Sequence, residues 1–157
     1  MANDQRSRNA RNGLAPPSTR SRAVGSEELR VPIKSETDII LARQRGRELA
    51  GQAGFSSTDQ TLIATSISEL ARNIVLYAQH GEIGLKRIQH GEEVGIVVTA
   101  EDEGPGIPDV QRALQDGYST SRSLGLGLPG VRRLMDDFDI DSRVGRGTKV
   151  TVRKWRR

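Results

Sequence analysis

Apolar and polar residues follow two different periods in the stretch that begins after residue 26. Residues 28–33 alternate apolar and polar side chains, and this period of two predicts a half-buried β-strand. Apolar residues then recur at helical spacing between a capping-box pattern at Ser35 and Asp38 and a typical helix end at Gly54. The pattern therefore predicts a strand followed by an amphipathic helix.

The middle of the chain combines a second helical stripe with two stretches of strand character. This helix is predicted to begin at Ser57, which forms another capping-box pattern with Gln60, and to run to Ala78. Residues 82–88 and 94–100 follow as predicted strands, and the second is rich in Val, Ile and Thr.

The last third of the chain returns to the same alternation of elements. A short helix is predicted over residues 110–114 and a third long helix over 128–135, with a polar loop between them. Residues 138–142 and 148–155 are predicted as strands joined by a glycine-rich turn. These elements predict an α/β fold, a two-layer sandwich in which helices cover one face of a mixed sheet.

The charge of the chain is concentrated at its beginning. Residues 1–25 contain five arginines and one aspartate, which equals the net charge of +4 of the whole chain. With almost no large apolar side chain, this segment cannot offset its ordering entropy, so we expect a disordered tail over residues 1–26 and one folded domain over 27–157. Weak contact of the tail with nucleic acid stays an alternative, although the absence of aromatic residues there makes a nucleic-acid partner unlikely.

Composition excludes several classes of protein. The chain has no cysteine, which excludes disulfides, thiol catalysis and cysteine-ligated zinc. It has no apolar run near the roughly 18 residues that a membrane helix needs, and no apolar segment of a signal peptide near its N-terminus. We therefore expect a cytoplasmic protein with no membrane partner.

The second helix carries the first candidate site residues. Glu69 and Asn73 are four residues apart and share one helix face at the border of the apolar stripe. An amide oxygen beside phosphates is a sensible Mg²⁺ ligand, and a carboxylate one turn earlier could accept a proton from an attacking hydroxyl. The alternative is an ordinary pair of solvated helix residues.

A second candidate follows the most strand-like segment. Asp102 continues the inward period of residues 94–100, so its carboxylate is expected to face the core and to need a donor. An exocyclic amine of a ligand could supply that donor. Gly104 and Gly106 would let the backbone approach a flat ring, although a solvated acidic turn stays an alternative.

A third candidate is the glycine-rich run over residues 125–130. Its glycines have the spacing of the dinucleotide-binding fingerprint G-x-G-x-x-G. That fingerprint must follow a strand, and here a polar loop precedes it, so we reject a dinucleotide-binding fold. The small residues of the run would expose backbone N–H groups at the start of a helix, where an anion is favoured, and Pro129 suits the first turn. The hydroxyls and the arginine of the preceding loop, residues 117–123, could contact phosphate oxygens, or the loop could be an ordinary surface segment.

The order of these motifs resembles the GHKL ATPases, the family of gyrase, Hsp90 and histidine kinases, which also includes anti-sigma serine kinases. The resemblance covers residues 28–155, with the glycine-rich turn before residue 148 as its last motif. The runs 69–78, 102–107 and 116–135, followed by a final Lys-Trp pair, are close to those of serine/threonine kinases of the bacterial stressosome. The arginine-rich tail is not part of that pattern.

The resemblance implies a Bergerat-type sandwich that uses ATP and Mg²⁺. Glu69 would be the general base, Asn73 would hold Mg²⁺, and Asp102 would bind the adenine amine, with Thr148 near the base. The implied nucleotide-binding residues are Asn73, Asp102, Gly104, Gly106, Ile107, Thr120, Ser121, Arg122, Gly125, Leu126, Gly127, Leu128 and Thr148.

The resemblance also implies partners. Such kinases phosphorylate a STAS-domain antagonist or scaffold of the stressosome, and they activate a PP2C-type phosphatase after release. Two alternatives stay open: an ATP-gated anti-sigma factor that holds a sigma factor, and a relative whose only task is to activate a phosphatase. A base at Glu69 favours the kinase over the last alternative.

Overall fold

The structure is a computed structural model that describes residues 27–115 and 126–157. The strands, helices and one π-helical segment follow in chain order: β1 (Leu29–Ile33), α1 (Glu36–Gln52), α2 (Ser57–Asn73), the π segment (Ile74–Ala78), β2 (Gly81–His90), β3 (Glu93–Asp102), α3 (Val110–Ala113), α4 (Gly127–Leu134), β4 (Asp137–Arg143) and β5 (Gly147–Trp155). The predicted elements are all present. Most of their boundaries lie within two residues of the predicted ones.

The five strands form one sheet in the order β1-β2-β3-β5-β4. The expected sandwich is present, but the expectation of a mixed sheet needs correction, because all four pairings between the described strands are antiparallel. Three of these pairs, β1–β2, β2–β3 and β4–β5, are formed by strands that follow one another in the chain. Among the described residues, the connections from β1 to β2 and from β3 to β4 contain two α-helices each, instead of the single crossover helix of a parallel unit.

The core lies between the helices and the inward positions of the sheet. Ile83, Leu85, Ile96 and Val98 are fully buried, as the period of two requires. On α1, Gly46 is the point of closest approach: a side chain there would collide with Ile67 of α2. The small residue therefore lets α1 and α2 pack closely over the sheet.

The two long helices begin by different caps from those predicted, whereas the predicted stop after the first of them is confirmed. Ser35 precedes α1 but makes no side-chain cap; instead the Asp38 carboxylate accepts from the N–H of Lys34 at 2.9 Å. The cap of α2 is Ser56 and not the predicted Ser57, since the Ser56 hydroxyl accepts from the Asp59 N–H at 3.1 Å. The predicted stop at Gly54 has a positive φ of 86°, as a helix-ending glycine should.

The predicted second helix changes its geometry near its end. It is α-helical only to Asn73, and the five residues from Ile74 to Ala78 are π-helical. Gln79 follows with a positive φ of 73°, which ends the helix and turns the chain into β2. π-helical turns inside helices are frequent at functional sites, and this one borders the cleft described below.

The outer face of the sheet carries an ion cluster. Arg30 of β1 lies between Glu28, at 2.8 Å, and Glu82 of β2, and Glu101 of β3 lies further away at 3.9 Å. The hydrogen bond to Glu82, followed by the charge of Glu28, raises the pKa of the Arg30 guanidinium above its ordinary value.

In residues 27–115 and 126–157 we find no helix long and apolar enough to cross a membrane.

Candidate active site

A cleft of about 550 Å³ opens between the end of α2 and the two neighbouring strands β3 and β5. This volume is within the range of small-molecule sites in proteins. Asn73, Asp102 and Thr148 supply polar groups to its lining, and most of the other lining residues are apolar. Residues from three helices, the π segment, two strands and the loop after β3 thus meet around one space.

Asp102 is the last residue of β3 and lies directly opposite Thr148 of β5 in the antiparallel register. Its Oδ1 accepts a hydrogen bond from the N–H of Gly104 at 2.8 Å. This bond orients the carboxylate toward the cleft and leaves Oδ2 for a donor on a ligand.

The loop after β3 forms one wall of the cleft and is held by the β4–β5 hairpin. The N–H of Ile107 donates to the Ser142 hydroxyl at 2.7 Å, and that hydroxyl shares a hydrogen bond of 2.7 Å with Thr148. The N–H of Gly145 donates to the carbonyl of Pro105 at 2.8 Å. Gly106 and Ile107 of this loop line the cleft, so these bonds set the position of the wall.

Two glycines allow the backbone of the loop after β3 and the backbone of the β4–β5 hairpin to pack in direct contact. Gly106 has a φ of +79°, and a Cβ there would collide with the carbonyl of Arg143. Gly147 has a φ of +116°, and a Cβ there would collide with the carbonyl of Asp102. Both the conformation and the close contact therefore require glycine.

Glu69 and Asn73 lie on the same side of α2 but in different surroundings. Asn73 lines the cleft. Glu69 is only 5% exposed and is not among the lining residues. Its Oε1 accepts from Nη1 of Arg72 at 2.9 Å, and its Oε2 accepts from the N–H of Gly127 at 3.2 Å. The carboxylate thus joins α2 to the first residue of α4.

The start of α4 has the local structure that the glycine-rich run predicts. Gly127 begins the helix with a φ of +68°, and Pro129 lies in the first turn. Leu128 lines the cleft, whereas Leu126 is 52% exposed. At its other end, α4 is held by Lys154 of β5, whose ammonium donates to the carbonyl of Leu134 at 2.8 Å.

Four of the sequence-predicted residues lie outside the described part of the chain. They are Thr120, Ser121, Arg122 and Gly125. The nucleotide-binding roles assigned to these residues, and to the cleft residues above, stay predictions.

One residue that positions the cleft wall and two that line the cleft are not among the sequence-predicted site residues. Ser142 holds the wall through Ile107, and it continues the inward alternation of Phe138 and Ile140 along β4. Tyr77 is predicted only as part of the helical stripe and Leu76 is not singled out, yet both lie in the π-helical segment and line the cleft. The alternation along β4 is a sequence signal that could have identified Ser142. No sequence pattern marks the π-helical segment that contains Leu76 and Tyr77.

The polar groups of the cleft are suited to Mg²⁺ held mainly by a ligand. Within residues 27–115 and 126–157 there is no group of three or more His, Asp or Glu residues that could hold a metal by itself. Mg²⁺ at phosphate sites usually takes one or two protein oxygens and completes its shell with phosphate and water. The amide of Asn73, which lines the cleft, fits that pattern.

Comparison with known proteins identifies relatives along most of the chain. The family model described as the histidine kinase-like ATPase domain matches residues 34–154. The serine/threonine-protein kinase RsbT of Bacillus subtilis (strain 168) is 51% identical over 127 residues, which are 81% of this chain and 96% of RsbT. An anti-sigma F factor of Caldanaerobacter subterraneus is 31% identical over 132 residues, 82% of this chain and 92% of that factor.

Solved structures show the same fold at low sequence identity. The RsbU and RsbW domains of Rv1364c from Mycobacterium tuberculosis align with a TM-score of 0.54 and 19% identity over 83% of this chain, which corresponds to 32% of that longer chain. A chain of the SiaB-SiaC complex from Pseudomonas aeruginosa aligns with a TM-score of 0.50 and 13% identity, covering 90% of this chain and 98% of that one. With the family match and the 51% identity to RsbT, the chain belongs to the histidine kinase-like ATPase family, the GHKL family that its motif order predicts.

Proposed function

We propose that this protein is an ATP-dependent serine/threonine kinase that phosphorylates a STAS-domain antagonist or scaffold protein of a stressosome. After release from that complex it would bind and activate a PP2C-type phosphatase and so regulate a stress sigma-factor pathway. The observation that carries the proposal is the convergence of Asn73, Asp102 and Thr148 on one cleft in a chain that is 51% identical to RsbT.

The sheet side of the cleft is suited to the adenine of ATP. Asp102 presents a carboxylate whose Oδ1 is already oriented by Gly104, so Oδ2 can accept a hydrogen bond from the adenine amine. Thr148 lies opposite Asp102 and can reach the same region. Gly106 and Ile107, which line the cleft, can lie against the ring.

The helix side of the cleft is suited to the phosphates. Asn73 would hold Mg²⁺, which neutralises phosphate charge when it is bound. The backbone of Gly125, Leu126, Gly127 and Leu128 would donate to phosphate oxygens at the start of α4, with help from Thr120, Ser121 and Arg122. These assignments rest on the resemblance and on the placement of Asn73 and Leu128 in the cleft.

The transfer step needs a group that accepts a proton. As the oxygen of the acceptor serine or threonine bonds to the γ-phosphorus, the bond from that phosphorus to the leaving oxygen of ADP breaks, and the hydroxyl proton passes to a carboxylate. We assign this role to Glu69. Its carboxylate lies one turn before Asn73, and it would have to leave the N–H of Gly127 to reach the acceptor.

The first 26 residues are assigned to no part of this mechanism. We propose that they form a tail separate from the kinase domain of residues 27–157, because their composition does not favour a packed core.

A second candidate function is supported by the anti-sigma relatives. The chain is 31% identical to an anti-sigma F factor over most of the length of both proteins. An ATP-gated anti-sigma factor would use the same cleft to bind ATP but would hold a sigma factor with little or no phosphoryl transfer. The two functions differ in whether phosphate appears on a protein substrate.

The test is to incubate the protein with Mg-ATP and each STAS-domain protein of its source organism, and to measure intact masses. Glu69→Gln is the catalytic control, and Glu101→Gln on the exposed sheet face is the matched control. One added phosphoryl group with the wild type and with Glu101→Gln, but not with Glu69→Gln, supports the kinase. Binding of ATP without transfer, together with capture of a sigma factor, would instead support the anti-sigma function.

A further inference from the structure

The carboxylate of Glu69 has two hydrogen-bond partners that differ in position. Arg72 lies three residues later on the same helix and donates to Oε1 at 2.9 Å. Gly127 lies 58 residues away and donates its N–H to Oε2 at 3.2 Å. One partner therefore belongs to the same rigid helix as Glu69, and the other belongs to the segment assigned to the phosphates.

These two contacts cannot both persist in the proposed reaction. A phosphate oxygen bound to the N–H of Gly127 would replace Oε2 of Glu69 there, because one N–H supplies one strong hydrogen bond. A buried carboxylate that loses one donor depends more on the donor that remains. That donor is Arg72, which stays within reach whatever α4 does because α2 carries both residues.

Arg72 itself is not among the residues that line the cleft, and its side chain is 34% exposed against 6% for Glu69. An exposed ion pair at this spacing contributes little to helix stability. Here one partner is buried, so the guanidinium compensates a desolvated charge, which an exposed pair does not do.

We propose that Arg72 is a positioning residue for phosphoryl transfer. It holds the carboxylate of Glu69 by Oε1, so that Oε2 can turn from Gly127 to the acceptor hydroxyl while the carboxylate keeps one fixed partner. This inference rests on the proposed kinase function and adds a residue to it, and Arg72 acts only through Glu69.

The test compares three variants of Arg72 with an exposed arginine on α4. Arg72→Ala removes the donor, Arg72→Gln keeps a shorter polar side chain without the charge, and Arg72→Lys keeps the charge. Arg132→Ala is the control, because Arg132 is exposed. For each variant we would measure ATP affinity by calorimetry and kcat for transfer to the STAS-domain protein at saturating ATP.

We expect Arg72→Ala and Arg72→Gln to lower kcat by about 10- to 100-fold while ATP affinity changes by less than about threefold, because positioning acts on the transition state. Arg72→Lys should restore a large part of kcat, and Arg132→Ala should match the wild type. In the Glu69→Gln background, Arg72→Ala should cause no further loss. If Arg72→Ala does not fold, Arg72→Gln and Arg72→Lys give the same comparison.

Three results would overturn the proposal. The first is a wild-type kcat in Arg72→Gln, and the second is a loss confined to ATP affinity or to thermal stability. The third is an equal further loss when Arg72→Ala is added to Glu69→Gln, which would mean that Arg72 acts independently of Glu69. A wild-type protein that transfers phosphate to no STAS-domain protein would instead reject the proposed function, and the role of Arg72 with it.

Discussion

The two ends of the cleft are built by different means. At the sheet end, Asp102 and Thr148 are placed by strand register. The loop after β3 is held there because the N–H of Ile107 donates to the Ser142 hydroxyl and the carbonyl of Pro105 accepts from the N–H of Gly145. At the helix end, α2 and α4 pack against each other, and the carboxylate of Glu69 on α2 also accepts from the N–H of Gly127 on α4. The polar groups of the sheet end are thus placed by backbone geometry, and the polar contact at the helix end is made by a carboxylate.

This difference indicates how each end can respond to a ligand. Strand register and the close contacts at Gly106 and Gly147 restrict movement of the sheet end, so we expect this end to be preorganised for the ring that it is proposed to bind. A single carboxylate contact can be exchanged for a phosphate without disturbing the packing around it. We therefore expect recognition to depend on the sheet end and chemistry to depend on the helix end.

The largest expected effect concerns the helix end. Glu69→Gln keeps an oxygen that can accept from Gly127 but removes the proposed base, so phosphoryl transfer should fall by at least about 100-fold. ATP affinity should stay near that of the wild type. Single-turnover transfer and calorimetry measure the two quantities. Transfer at the wild-type rate would remove Glu69 from the mechanism.

The second prediction concerns the backbone of the sheet end. Gly147→Ala adds a Cβ that would collide with the carbonyl of Asp102, whereas Gly145→Ala, at a φ of +80° in the same turn, has no atom within 4 Å of the new Cβ. Gly145→Ala should lower the free energy of unfolding by about 1–2 kcal/mol because of its positive φ, and Gly147→Ala by about 1–3 kcal/mol more because the backbone must move. Urea denaturation measures both. Equal losses would show that the contact with Asp102 is easily relieved.

A third, smaller effect is expected at Asp102, the carboxylate that we propose binds adenine. Asp102→Asn keeps an acceptor for the N–H of Gly104 but can turn an amide donor toward the adenine amine. ATP affinity should fall by about 10- to 100-fold, which corresponds to the loss of one charge-assisted hydrogen bond. Calorimetry measures it, with Glu101→Gln as the neighbouring control. Unchanged affinity would place adenine recognition elsewhere.

The smallest effect concerns two serines near the cleft helix α2, one whose hydroxyl makes a hydrogen bond and one whose hydroxyl makes none in the described part of the chain. Ser66 lies fully buried one turn before Glu69, and its hydroxyl has no hydrogen-bond partner within the described residues. Ser66→Ala should leave the free energy of unfolding unchanged or raise it by up to about 1 kcal/mol, whereas Ser56→Ala, which removes the cap of α2, should lower it by about 1 kcal/mol. Thermal unfolding compares the two. A clear loss in Ser66→Ala would indicate a partner for that hydroxyl in solution.

Sequence patterns predicted the elements well because each element is a local periodic structure. The alternation through residues 94–100 predicted an inward Asp102, and Asp102 does line the cleft. Glycine and proline near residue 127 predicted the start of α4, which begins there. The antiparallel order of all four pairings could not be read from periodicity, since the period of a strand says which face is buried and not which strand lies beside it.

The contacts that complete the site join residues far apart in the chain. Glu69 was expected to face the ligand, yet its carboxylate is held by a residue 58 positions away. Similarly, Ile107 reaches Ser142 across 35 positions. Neither contact is encoded in a local pattern, and the change from α- to π-helical geometry after Asn73 is also unmarked in the sequence.

The alternation of β5 has a consequence for how members of this family can diverge. Thr148 faces the cleft and the neighbouring Lys149 is exposed on the opposite side of the sheet. Deleting a single codon in the turn before β5 would tend to shift the strand by one position, exchanging the hydroxyl for an ammonium beside Asp102. If the cleft binds the nucleotide as proposed, substitutions in it would change nucleotide preference gradually, whereas an insertion or deletion at this turn would abolish binding in one step.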